Sequence, residues 1–142
     1  FLFNQILAMR VQTGNWDQCL SGDVMALAGS ASVFKSEQGD PDILPRLNAL
    51  DIHPTGPLWG AGSLVTAEEA GSQEESLPEI FSAFTSGLEK AGLKQERRSL
   101  RLIPENLRIT PDDDKSLVIE FTLPKGTYAT SVLREMVKAQ GL

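Results

Sequence analysis

The side chains in this chain that could do chemistry are few, and their types narrow the choice. There is a single histidine, His53, and a single cysteine, Cys19. A tetrahedral zinc site built from cysteine and histidine needs more ligands than that, so none is expected. A Ser-His-Asp triad would have to use His53, which stands before Pro54 and reads as a turn residue, and no nucleophile-elbow pattern is present. Neither common glycine pattern of a phosphate-cradling loop occurs. Asp112, Asp113 and Asp114 form an acidic turn that could hold a cation, although three carboxylates at a turn are ordinarily just solvated. Residue types and spacing alone therefore leave no visible catalytic group.

Composition fits a piece of a soluble globular protein. The chain has 142 residues, enough for one ordinary domain, with 41% hydrophobic and 23% charged residues. No window approaches the roughly eighteen uninterrupted apolar residues of a membrane span. A lone cysteine rules out an internal disulfide and fits a reducing cytoplasm. The net charge of −6 argues against a nucleic-acid binder, because such binding rests on neutralising phosphates. The charge is uneven, however. Glu68, Glu69, Glu74, Glu75 and Glu79 make an acidic run, and Lys90, Lys94, Arg97, Arg98 and Arg101 a basic one. The basic run is either an RNA-binding strip or an ordinary solvated helix end.

The elements follow from periodicity. Phe3, Ile6 and Leu7 predict an inward face for a first helix from Leu2 to about Val11. It opens with no capping residue, which reads as a chain that begins inside a larger protein. Short apolar runs at 22–29 and 30–34 predict a strand pair. Asp40 before Pro41, with Ile43, Leu44, Leu47 and Leu50 at helical spacing, predicts a second helix. Residues 51–62 hold three glycines and two prolines and predict an irregular but ordered loop around Leu58 and Trp59. A polar helical stretch is expected from Thr66. Ser76 and Glu79 then suggest a capping box that opens a helix to about Ala91, with Ile80, Phe81, Phe84 and Leu88 inward. Strands are expected at 98–103, 106–110 and 117–123, and a last helix with Val132, Leu133, Met136 and Val137 on its apolar side. A boundary falls near Ile103-Pro104.

One segment carries more information than its periodicity. Phe121-Thr122-Leu123-Pro124-Lys125-Gly126-Thr127-Tyr128-Ala129-Thr130-Ser131-Val132-Leu133-Arg134-Glu135 resembles the strand-turn-helix signature of the TruD family of tRNA pseudouridine synthases. Phe1-Leu2-Phe3-Asn4-Gln5 resembles that family's Leu-Phe-Asn helix. Gly22-Asp23 with Leu27-Ala28-Gly29 resembles its strand pair, and Gly56-Pro57-Leu58-Trp59-Gly60 its glycine-rich loop. The resemblance runs along the whole chain.

It implies an α+β fold. Residues 1–103 would be part of an α/β insertion domain special to the family, and 104–142 a strand-strand-helix return to the antiparallel sheet of the catalytic domain. It implies conversion of a uridine in the D-arm region of tRNA, uridine thirteen, to pseudouridine without cofactor or metal. By the same resemblance Tyr128 is the aromatic that lies against the target uracil. Gly126 lets the backbone turn beside the substrate, and Thr127 and Thr130 cap the last helix, whose N-terminus favours phosphate, while Lys125, which stands where a small residue is commoner in the family, either touches RNA backbone or is an exposed turn lysine. One of Arg134 and Glu135 is expected in a structural ion pair. The family's nucleophilic aspartate lies in a Lys-Asp segment of the N-terminal half, and nothing here matches it. The expected partners are therefore tRNA and the N-terminal half of the same enzyme, in the cytoplasm, and this chain alone is expected to be inactive. Two rivals stand beside this reading. One is a non-catalytic RNA-binding module using Lys94, Arg97, Arg98 and Arg101, and the other is an ill-bounded fragment prone to associate.

Overall fold

The computed structural model describes residues 1–37, 39–113 and 115–136. Along the chain run α1 (Leu2–Gln12), β1 (Val24–Leu27), β2 (Val33–Lys35), α2 (Ile43–Asn48), β3 (Ile52–Leu58), α3 (Glu68–Ile80) and α4 (Ser82–Lys90). Then follow β4 (Glu96–Ser99), β5 (Glu105–Pro111), β6 (Leu117–Thr122) and α5 (Ala129–Met136). The fold is α+β with antiparallel strands, and the chain divides into two compact units, Phe1–Arg101 and Leu102 onward. The division lies just upstream of the Ile103-Pro104 boundary that the sequence suggests.

The first unit is a four-stranded sheet in the order β2-β1-β3-β4. Its central strand β3 occupies the segment expected to be an irregular loop, and this corrects that expectation. Proline is tolerated there because strand donors alternate sides and the two neighbours of β3 are staggered. β1 pairs with residues 52–54 and β4 with residues 55–58. The missing donor of Pro54 faces β4 just outside the last pair, where its carbonyl still accepts from Leu100 N at 2.8 Å. The missing donor of Pro57 faces the β1 side, beyond the last β1 partner. Gly56 leaves room for α1, since a Cβ there would stand 3.1 Å from the Phe3 ring.

Two apolar clusters hold this unit. Met25, Ile43, Leu47 and Ile52 join α2 to β1 and β3, with Leu27 and Phe34 packed against them. Leu2, Ile6 and Leu77 join α1 to α3, with Trp59, Phe81 and Leu88 alongside. The buried face of α1 is therefore Leu2, Ile6 and Arg10 rather than Phe3, Ile6 and Leu7. The shift follows from Arg10, whose guanidinium is drawn inward by Asp23 at 2.9 Å. In α2 only Ile43 and Leu47 are buried, and Asp40 acts one turn early by accepting from Asp42 N at 2.9 Å.

The capping box is also corrected. Ser76 and Glu79 lie inside α3, and Ser76 Oγ donates to Gln73 O at 2.7 Å. Pro78 carries no N–H for the Glu74 carbonyl, and the helix ends three residues on at Phe81, which takes φ −124° and ψ 41°. The helix restarts as α4, and this break leaves Ile80 and Phe84 exposed although the sequence placed them inward.

The second unit contains the β5–β6 pair and α5. The register runs Ile109↔Ile119, Thr110↔Val118 and Pro111↔Leu117, with an irregularity between Glu105 and Arg108. Asn106 sits in that irregularity at φ +54°, a left-handed conformation that asparagine tolerates better than most residues. In β6, Ile119 and Phe121 are half-buried whereas Leu117 is exposed. In α5, Val132 is buried, Leu133 half-buried and Met136 exposed, while Val137 lies outside the described residues.

Candidate functional site

Strand β6 ends at Thr122 and α5 begins at Ala129, so the residues of the resemblance occupy the turn between them and the first helical turn. Gly126 takes φ +86°, a left-handed conformation in which glycine carries no Cβ penalty. A Cβ at that position would meet nothing within 4 Å, so backbone conformation rather than crowding favours glycine there. Thr127 Oγ1 donates to Pro124 O at 2.7 Å, which closes the turn; it does not cap α5 as the sequence suggested. Ser131 N donates to Tyr128 O at 3.0 Å and begins the helical hydrogen bonding.

Tyr128 projects from this turn with 70% of its surface exposed. Packing into the start of the helix, the ordinary role of an aromatic at such a place, is thus not what it does in this unit. Lys125 and Thr130 are exposed on either side of it. The five residues named from the sequence therefore lie on this turn and the first turn of α5, which offer a flat apolar ring, a primary ammonium and a hydroxyl. Arg134 and Glu135 are both exposed, and no ion pair of either is found among the described residues. In the β5–β6 connection Asp113 Oδ1 accepts from Lys115 N at 2.8 Å and Ser116 Oγ at 2.7 Å. Those bonds, the one to Ser116 first, lower the Asp113 pKa. Asp114 lies outside the described residues. No group of three or more metal-ligating side chains occurs among the described residues.

The basic residues named from the sequence do not form one strip. Lys94 is exposed beyond the end of α4. Arg97 is turned inward: Nη1 meets Glu74 Oε2 at 2.7 Å, Nε donates to Thr55 Oγ1 at 3.0 Å and Nη2 to Thr55 O at 2.9 Å. Its side chain is 7% exposed, which corrects its placement on an RNA-facing surface. Arg98, next along the strand, lies with its guanidinium carbon 5.4 Å from the centre of the Phe3 ring. Arg101 is bonded to His53 Nδ1 and to two main-chain carbonyls. Burial lowers the pKa of Arg101, opposed by Asp17. Burial and then the Arg101 charge lower that of His53, opposed by Asp51.

Asp23, in the Gly-Asp pair, is fully buried, and its Oδ2 accepts from Arg10 Nη1 at 2.9 Å and Leu20 N at 3.1 Å. It has no access to a substrate. Burial raises the Cys19 thiol, the largest influence on it, so Cys19 is a poor nucleophile. Sequence reasoning did not anticipate the two buried arginines. Their partners stand 13 and 23 residues away, and pairing over such separations leaves no local signal.

Comparison with known proteins identifies the family of the chain. A family model described as tRNA pseudouridine synthase D (TruD) matches residues 1–136. A tRNA pseudouridine synthase D from Xanthomonas campestris is 49% identical over 137 residues, which is 95% of this chain and 37% of the relative. One from Nitrosococcus oceani is 45% identical over 141 residues, covering 99% of this chain and 39% of the relative. The crystal structure of a TruD protein from Methanosarcina mazei shares the fold with a TM-score of 0.70 at 23% identity. That match covers 97% of this chain and 36% of the other. The chain thus spans about two-fifths of the length of the relatives it matches. On the family match over residues 1–136, the chain belongs to the tRNA pseudouridine synthase D (TruD) family.

Proposed function

We propose that this chain is part of a tRNA pseudouridine synthase and supplies the surface that holds the flipped uridine, with uridine thirteen of the D-arm region as the target. In that reaction the base is released from its ribose, turned, and rejoined through carbon rather than nitrogen, with no net change of atoms. The enzyme must hold a detached base in place while it turns. An unpaired aromatic ring on a tight turn meets that need, since it binds the flat face of a base without fixing its edges. The exposed ring of Tyr128 is the observation that carries this reading. Lys125 would contact RNA backbone beside it, and Thr130 would offer its hydroxyl to the same strand. Gly126 and Thr127 shape the turn.

The nucleophilic aspartate is assigned to the part of the protein outside this chain. Asp23 is locked into its pair with Arg10, and none of the other described aspartates lies in the family's Lys-Asp motif. By the same family reading, residues 104–142 belong to the catalytic domain and residues 1–103 to the insertion. No cofactor is assigned to the reaction, and tRNA and the remaining length of the enzyme are the assigned partners. The working place of such an enzyme is the cytoplasm.

The test is pseudouridine formation on a tRNA transcript by the full-length protein and by residues 1–142 alone. Product at uridine thirteen from the full-length protein and none from the shorter chain is the expected result. Product from the shorter chain would place a nucleophile among these residues and overturn the assignment.

A further inference from the structure

The ring of Tyr128 stands exposed, so little packing within its own unit fixes the direction in which it points. Its aim is set by the backbone that carries it. On the helix side, Ser131 N donates to Tyr128 O at 3.0 Å and holds the carbonyl end of the residue. On the other side stands the turn of residues 124–127. Gly126 takes φ +86° there, a positive value of the kind that the third residue of a type II turn needs. Thr127 Oγ1 donates to Pro124 O at 2.7 Å and ties the last residue of the turn to its first.

Three roles are open to a hydroxyl at this place: a cap for α5, a donor to RNA, or a closure of the turn. A threonine hydroxyl carries one proton, and at 2.7 Å that proton is committed to the Pro124 carbonyl. Thr127 is half-buried between the exposed Gly126 and the exposed Tyr128. Its side chain therefore turns back on the preceding chain while the ring of the next residue stands out. The branched Cβ of threonine also restricts χ1, which leaves the hydroxyl few other positions.

We propose that Thr127 is a positioning residue for the ring of Tyr128. Its hydroxyl keeps the turn closed, so that the ring is oriented before a uracil arrives, and Thr127 itself makes no contact with RNA. A ring left to wander would have to be ordered as the base binds, which lowers the gain from stacking. The effect on rate rests on the uridine-holding reading of Tyr128, whereas the closure of the turn does not.

The experiment measures single-turnover pseudouridine formation and tRNA affinity in the full-length protein. The variants are Thr127→Ser, Thr127→Val, Tyr128→Ala, and Thr127→Val combined with Tyr128→Ala. Serine keeps the hydroxyl, whereas valine keeps the shape and loses it. Valine is expected to slow the bound reaction by about 3- to 10-fold, the factor that one hydrogen bond of ordinary net strength allows. Serine should restore the wild-type rate, and the dissociation constant for tRNA should keep its wild-type value in both. With Tyr128→Ala in place, valine should cost nothing further, because the ring it aims is gone. Equal losses from valine with and without the ring, or a serine variant as slow as valine, would overturn the proposal. So would weaker tRNA binding by the valine variant at an unchanged rate for bound tRNA, which would make the hydroxyl an RNA contact.

A second readout does not depend on activity. NMR relaxation of the tyrosine-labelled full-length protein should show the Tyr128 amide ordered in wild type and Thr127→Ser, and less ordered in Thr127→Val. Unchanged order in the valine variant would refute the closure even if activity fell. A Tyr128→Ala variant that forms pseudouridine at the wild-type rate would overturn the uridine-holding reading. Lower order in Thr127→Val would in that case still uphold the closed turn.

Discussion

Arg97 of β4 and Glu74 of α3 meet at 2.7 Å with only 7% and 3% of their side chains exposed. Thr66 Oγ1 donates to the same Glu74 oxygen at 2.9 Å, and Thr55 accepts twice from Arg97. The pair ties a helix to the sheet at a place where both charges have left water. Such a pair contributes little over an apolar replacement, but losing one member strands the other. Glu74→Ala is therefore expected to cost about 3–5 kcal/mol in urea unfolding, and Glu74→Leu with Arg97→Met much less. Equal losses in the single and double variants would show that the pair itself, rather than its burial, carries the stability.

Gly22 and Gly29 share a left-handed backbone, at φ +74° and +69°, but differ in what surrounds them. A Cβ on Gly22 would fall 2.0 Å from Ala67 O, whereas on Gly29 it would meet nothing within 4 Å. Gly29→Ala should cost only the backbone term, about 1–2 kcal/mol. Gly22→Ala should add overpacking of about 1–3 kcal/mol. Thermal unfolding of the two variants checks the order, and equal melting temperatures would mean that the Ala67 loop moves aside freely.

His53 is expected to make stability depend on pH in one direction. Burial and the Arg101 charge hold its folded pKa below the ordinary 6.5, although Asp51 pulls the other way. The unfolded chain therefore binds the extra proton first as pH falls. The favourable balance is fully present above about pH 6.5 and declines below it, by at most about 1.4 kcal/mol per pH unit. Urea unfolding between pH 7.5 and 5.5 should show this decline, and His53→Gln should reduce it. A decline of the same size in the glutamine variant would assign it to other groups.

Much of the fold could be read from local pattern. Helical spacing located α1 and α2, and alternation located β6, because in each case one face meets a core and the other meets water. β3 was hidden for a physical reason. Its two prolines and one glycine are breakers in any local account, and they are harmless only because β1 and β4 pair with different halves of the strand. The α3–α4 break was misplaced because Pro78 suits the first turn of a helix as well as the end of one. At the candidate site the turn was legible through its motif. The inward fates of Arg97 and Arg101 were not, since Glu74 and His53 approach them only through the folded sheet.

The central claim is that the exposed ring of Tyr128 holds the uracil, and the most direct measurement is single-turnover pseudouridine formation by full-length wild type, Tyr128→Phe and Tyr128→Ala. Stacking of roughly 1–3 kcal/mol corresponds to a loss of about 5- to 150-fold for alanine. Phenylalanine keeps the ring face and should stay within a few-fold of wild type. Wild-type rates from the alanine variant would contradict the account and leave Tyr128 as an unengaged surface residue.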